Sequence, residues 1–116
     1  MKPAIAILTD FGMRDPSVGI MKAVIRAICP DAGFIALSHE IAPQDLRQAA
    51  FILMTAWRWF PPGTVFLVVV DPGVGSERRP LVVAAGERFF VAPDNGLLSW
   101  TLAETGAGHA LSLIHI

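Results

Sequence analysis

Charge is scarce in this chain and cysteine nearly absent. Only 16% of the 116 residues are charged, and the net charge is −1, with acids and bases mixed along the length. That leaves no basic face to attract a nucleic acid or an anionic membrane. The single cysteine, Cys29, lies in the apolar stretch IRAICP and cannot form an internal disulfide. It reads as a buried small hydrophobe, and a reducing, cytoplasmic setting fits it. Apolar runs are short as well: none approaches the roughly 20 residues that a membrane span requires. Lys2 is followed by a brief apolar run ending at Asp10, which is not the pattern of a secretory signal. Internal repeats, low-complexity tracts and linkers are missing too.

What is present is apolar and periodic. With 53% hydrophobic residues the chain is far from a disordered composition, and its length suits one modest domain. AIAILT (4–9) and GFIALS (33–38) read as buried strands, and TVFLVVV (64–70) as a central one. Between them, residues 17–29 carry Ile20, Met21, Val24, Ile25 and Ile28 at helical spacing, with Ser17 as N-cap and Pro30 as stop. A second helix is predicted from Asp45 to Phe60, ended by Pro61-Pro62-Gly63. LVVAA and RFFVA flank Gly86-Glu87 as a two-residue hairpin. Gly96 to Glu104 forms a short final helix, started at Asp94 or Asn95. The order β-α-β-α-β, then hairpin and helix, predicts a layered α/β/α domain around a mostly parallel central sheet.

In such sheets ligands collect beyond the carboxyl ends of the strands. Asp10, His39 and Asp71 each follow a predicted strand immediately or nearly so, which puts three polar residues at one edge. The stretch LVVVDPGVGSER (67–78) is the most informative. Gly73 and Gly75 let the loop fold tightly and return Arg78 toward Asp71. A guanidinium held against that carboxylate makes a rigid pair able to orient water, though a solvated ion pair in a turn has the same spacing. A phosphate-binding loop is excluded by the missing Lys-Ser/Thr ending and by Pro80 opening a strand. Asp10 and Asp15 suit ribose hydroxyls or a metal; alternatively Gly12 simply turns and Asp15 caps a helix. His39 fits a packed histidine as well as a ligand. Asn95 could read a polar ligand edge or, with Asp94, start a helix. No close-spaced ligand motif supports a metal, and none is expected.

Four separated motifs carry a family resemblance: LTDFGMRDPSVGIMKAVI, LSHEIAPQDLRQAA, FPPGTVFLVVVDPGVGSERRPL and FVAPDNGLLS, in this order. They resemble the N-terminal domain of the S-adenosyl-L-methionine hydroxide adenosyltransferases, the hydrolytic branch of a superfamily that includes the fluorinase and chlorinase. The likeness spans nearly all of residues 3–105. It implies cleavage of S-adenosyl-L-methionine at ribose C5′ by water or hydroxide, giving adenosine and L-methionine, with no cofactor. Family members use an Asp-Arg-His set, of which Asp71 and Arg78 match the first two. The histidine belongs to a motif downstream of PDNG that this chain does not contain; neither His109 nor His115 sits in a matching context. Asp10 matches the residue that grips the ribose hydroxyls, while Asp15 and Ser17 match further substrate contacts; Asp94 and Asn95 join them as substrate-binding candidates. Asp71 stands where the fluorinase carries a Tyr, which favours hydrolysis, and Gln44 where it carries a stacking Trp. Homotrimers are implied, with each site completed by a neighbour's C-terminal β-barrel domain, which is absent here.

Two competing functions follow from the same residues. The segment ILTDFGMRD faintly resembles the opening of calcium-dependent nucleoside hydrolases, with two of their four acids present. A non-catalytic adenosyl-ligand-binding module is the other. Finally, LSLIHI (111–116) matches one translation of a transposase end used in sequencing-library preparation. The expectation is therefore a domain over 1–110, a non-native tail over 111–116, a natural chain continuing beyond about Ala110, and a fragment inactive by itself.

Overall fold

The computed structural model describes residues 4–12, 16–70, 80–106 and 111–112. Six strands form one sheet in the order β2-β1-β3-β5-β4-β6. These are β1 (Ala4–Thr9), β2 (Gly33–Ser38), β3 (Val65–Val69), β4 (Pro80–Ala85), β5 (Arg88–Pro93) and β6 (Leu111–Ser112). Strands β2, β1, β3 and β5 are mutually parallel, whereas β4 runs antiparallel to β5 and to β6. The predicted layered α/β class with a mostly parallel sheet is what the chain adopts.

Side-chain alternation along the strands sorts the core. Ala6, Leu8, Phe66, Val68, Val70, Val83, Phe90 and Ala92 belong to one buried cluster with Ala49, Ala50 and Leu53 of the second helix. Phe66 and Phe90 stack with ring centroids 5.1 Å apart, and Phe60 meets Phe66 edge-on at 5.2 Å. Aromatic pairs of this kind add to the area they bury. Ile7 and Thr9, both fully buried, point to the other face. That is the face on which a right-handed β1–α1–β2 crossover lays α1 (Ser17–Ile28).

Helix boundaries differ from expectation in instructive ways. Ser17 was expected to cap α1, but Pro16 occupies the cap position at φ −81° and Ser17 is the first helical residue. Proline's fixed φ is already helix-compatible, so the chain turns one residue earlier. In α2 (Leu46–Ala56), Asp45 caps as a true N-cap, its Oδ1 accepting from the Gln48 amide at 3.0 Å. The expected extension to Phe60 tightens into a 3-10 turn over Trp57–Trp59, because the following Pro61 forces Phe60 into an extended conformation. The third helix, α3 (Ser99–Thr105), begins later than expected and has no side-chain cap. Gly96 takes φ +83°, and Asn95 spends its side chain elsewhere.

The hairpin at Gly86-Glu87 has positive φ at both residues, 56° and 62°, as a primed turn requires. At the far edge, Leu111–Ser112 pairs with Val83 and Val82 of β4. Any short extended segment can add to an open edge in this way. No helix among the described residues is long and apolar enough to cross a membrane.

Candidate functional site

Four parallel strands end on one side of the sheet, at Thr9, Ser38, Val69 and Pro93. From β1 the chain crosses to β2 on one flank and returns through α2 to β3 on the other. The strand order therefore reverses between β1 and β3, where a crevice forms beyond the carboxyl ends. Thr9 pairs with Val69, so Asp10 and Val70 leave the sheet side by side.

The segment Thr9–Gly12 is held from several directions. Asp10 Oδ2 accepts from the Gln44 backbone N–H at 2.7 Å. Among the described residues its second oxygen has no hydrogen bond. Gln44 reaches that position only by adopting φ +62°, a left-handed backbone that an L side chain rarely takes. Its loop is locked by Asp45 N donating to Ala42 O at 2.9 Å, and by Ala42 N donating to Gln48 Oε1 at 2.9 Å. Gly12, at φ +70°, donates its N–H to the His39 carbonyl at 2.7 Å. Sequence reasoning treated Gln44 as a side chain; its contribution here is a backbone N–H. A non-glycine residue after Pro43 and before a capping Asp carries no sign of that in the sequence.

His39 is buried, with Nδ1 2.8 Å from Thr9 Oγ1. Burial is the main cause that lowers its pKa below the ordinary value, with the Lys22 charge adding to it and Glu40 opposing. Burial and the Lys22 charge thus favour the neutral ring. Of the two readings left open for this residue, the structure adds that it is hydrogen-bonded to the site's first strand. Thr9 is the polar end of the apolar run AIAILT, and nothing in the sequence marks its partner 30 positions away.

Asn95 ties the far side of the crevice together. Its Nδ2 donates to the Val70 carbonyl at 3.0 Å, and its Oδ1 accepts from Leu97 N at 3.2 Å. It therefore fixes the residue that leads into Asp71 and does not start a helix. A cleft of about 370 Å³ opens beside it, lined by Leu46, Arg47, Ala50, Leu97 and Trp100 among others. Asp94 is exposed and lines a separate cleft of about 310 Å³ with Leu81, Pro93 and Leu102. Asp71, Arg78 and Asp15 lie outside the described residues. Ser17 is half-buried at the start of α1. Among the described residues, no three His, Cys, Asp or Glu side chains gather closely enough to hold a metal ion.

Residues 5–115 match a family model described as the SAM hydroxide adenosyltransferase N-terminal domain. A Thermus thermophilus protein named (R)-S-adenosyl-L-methionine hydrolase is 47% identical over 104 residues, covering 88% of this chain and 40% of that protein. A fluorinase of an Actinoplanes species is 28% identical over 127 residues, covering 90% of this chain and 43% of the relative. The crystal structure of a conserved Thermotoga maritima protein superimposes with a TM-score of 0.84 at 47% identity, covering 88% of this chain and 40% of that one. The chain thus spans about two fifths of the length of the curated relatives it matches.

Proposed function

The chain belongs to the SAM hydroxide adenosyltransferase N-terminal domain family, and from that premise we propose that the protein hydrolyses S-adenosyl-L-methionine to adenosine and L-methionine. The observation that carries the reading is the likeness to the Thermus thermophilus (R)-S-adenosyl-L-methionine hydrolase, at 47% identity across 88% of the chain. The prepared carboxylate of Asp10 agrees with it. With one oxygen held by Gln44 and the other without a hydrogen bond among the described residues, it suits hydrogen bonds from a vicinal diol such as a ribose.

In the proposed reaction the water oxygen bonds to C5′ as the C5′–S bond breaks. The bonding pair passes to sulfur, the cationic sulfonium becomes the neutral thioether of methionine, and the proton from water passes to a base or to solvent. No acid is needed to expel a neutral thioether. The enzyme's task is to place water in line with the C5′–S bond in a dry, preorganised setting. Asp71 and Arg78 are assigned to orienting and activating that water. Asp10, Asp15 and Ser17 are assigned to holding substrate; Asn95 supports the approach to Asp71, and Asp94 is retained as an outer contact. Asp71 stands where fluorinases carry a Tyr, so water is favoured over halide as nucleophile. A cytoplasmic homotrimer in which neighbouring subunits complete each site belongs to the same proposal.

Product analysis of the full-length protein in water enriched in heavy oxygen tests the reading. Label in the 5′-hydroxyl of adenosine and none in methionine is the expected result. Adenine and ribose released from adenosine, abolished by chelation, would instead make it a nucleoside hydrolase. Tight S-adenosyl-L-methionine binding without turnover would make it a binding module. Asp71→Asn and Arg78→Ala should each cost orders of magnitude in turnover while the fold survives.

A further inference from the structure

Beside the proposed site sits a buried histidine for which the proposed chemistry has no use. His39 is 5% exposed, its Nδ1 lies 2.8 Å from Thr9 Oγ1, and its Nε2 is buried without a hydrogen-bond partner among the described residues. Thr9 is completely buried, and its hydroxyl oxygen also accepts from the Phe11 N–H at 3.3 Å.

Counting donors fixes the direction of the bond between them. A threonine hydroxyl has one hydrogen to give, and an unprotonated imidazole nitrogen is the acceptor within reach of it. If Nδ1 carried the proton instead, both the Thr9 hydroxyl hydrogen and the Nε2 lone pair would lack partners among the described residues. With Thr9 donating to Nδ1, a single group, the Nε2–H, is left over. The second arrangement leaves fewer buried polar groups unpaired. It requires a neutral ring, and burial together with the nearby Lys22 charge favours the neutral form, with Glu40 acting against it.

His39 grips the same short segment a second time. Its backbone carbonyl accepts from Gly12 N at 2.7 Å. Thr9 and Gly12 bracket Asp10 and Phe11, so a single residue of β2's exit closes both ends of the turn that carries the carboxylate. The Phe11 amide inside that turn is held by Thr9 itself. The direction in which Asp10 leaves β1, and so its alignment with Gln44, depends on this clamp.

We propose that His39 is a positioning residue for Asp10, acting as the Nε2-protonated tautomer that fixes the Thr9 hydroxyl and, with its own carbonyl, the Thr9–Gly12 turn. The tautomer stands on the hydrogen-bond count alone; its consequence for ligand binding rests on the adenosyl-site reading above.

Histidine-selective nitrogen-15 NMR on the full-length, ligand-free protein reads the tautomer directly. His39 should show a protonated Nε2 and an unprotonated Nδ1 at neutral pH. Thr9→Val, nearly isosteric and so expected to fold, should alter that tautomer balance and shift the Phe11 and Gly12 amide resonances. An Nδ1-protonated ring, or amides unmoved by Thr9→Val, would overturn the proposal. Calorimetry with adenosine supplies the functional arm. Thr9→Val and His39→Leu should each weaken binding about fivefold or more, and the double variant about as much as either single one, because both break one linked contact. Thr9→Ser and His39→Asn, whose Oδ1 can take the place of Nδ1, should bring affinity back to within about twofold. Folded variants that bind as wild type does, or losses that simply add, would refute positioning. A wild-type protein that binds no adenosine would defeat the adenosyl reading instead, and the NMR result would then decide the clamp by itself.

Discussion

Replacing Asp10 by asparagine separates the two tasks assigned to its carboxylate. One oxygen takes the Gln44 amide at 2.7 Å, and an asparagine carbonyl oxygen can do the same. The bond is exposed, so exchanging a charged for a neutral acceptor there should cost well under about 1 kcal/mol of stability. The ligand side loses more. A diol that donates to a carboxylate makes charge-assisted bonds worth about 1.5–3 kcal/mol each, against about 0.5–1.5 kcal/mol for neutral ones. Losing that difference over one or two bonds amounts to about 1–3 kcal/mol, or roughly 5- to 150-fold in Kd. Asp10→Ala removes both acceptors and should weaken binding further while also loosening the Gln44 loop. The assay is calorimetry of adenosine binding to the full-length protein, paired with thermal melts of each variant. An Asp10→Asn protein that melts normally and binds adenosine within about twofold of wild type would refute the assignment of ribose recognition to this residue.

Four further outcomes follow from particular contacts. At the hairpin, Glu87 at φ +62° should be improved by Glu87→Gly, by about 0.5–1 kcal/mol and a few degrees in Tm. By contrast, Gly86→Ala would set a Cβ 2.8 Å from Trp57 Cζ3 at a left-handed φ, costing about 2–4 kcal/mol in denaturant melts. The Glu104 carboxyl is held below its ordinary pKa of 4.5 first by the Trp57 indole N–H at 3.0 Å, with Arg58 adding to it and partial desolvation opposing. A depressed folded-state pKa means stability present above the unfolded value and lost as pH falls through the folded one. Trp57→Phe should therefore flatten the loss of Tm below about pH 4.5, and an unchanged acid limb would contradict the pairing. Asn95→Ala gives up the bond to the Val70 carbonyl, for about 1 kcal/mol of stability. Turnover of S-adenosyl-L-methionine should fall at least tenfold, since the entry to Asp71 loses its support. A proportionate loss of folded protein with kcat unchanged would show the residue to be structural.

Much of the fold was legible because local patterns report local structure. The apolar run before Asp10 gave β1, the stripe from Leu46 to Leu53 gave α2, and Pro61-Pro62 marked where it must stop. Gly86-Glu87 between two β-prone runs gave the hairpin. The errors lie at helix ends: Pro16 and a long-range bond from Asn95 overruled the usual capping chemistry at two starts, and α2 gave way to a 3-10 turn before Phe60.

By its own periodicities and turn residues, then, the chain determined the order and type of its elements and the sheet edge on which Asp10 and His39 would gather. Tertiary structure decided what those residues do to one another. Gln44 meets Asp10 across 34 positions, His39 meets Thr9 across 30, and Asn95 meets Val70 across 25. Such pairings are set by strand order and register, which bring loops together wherever the strands end. A hydrogen bond between two loops leaves no spacing in the sequence, because neither partner needs a fixed distance along the chain from the other.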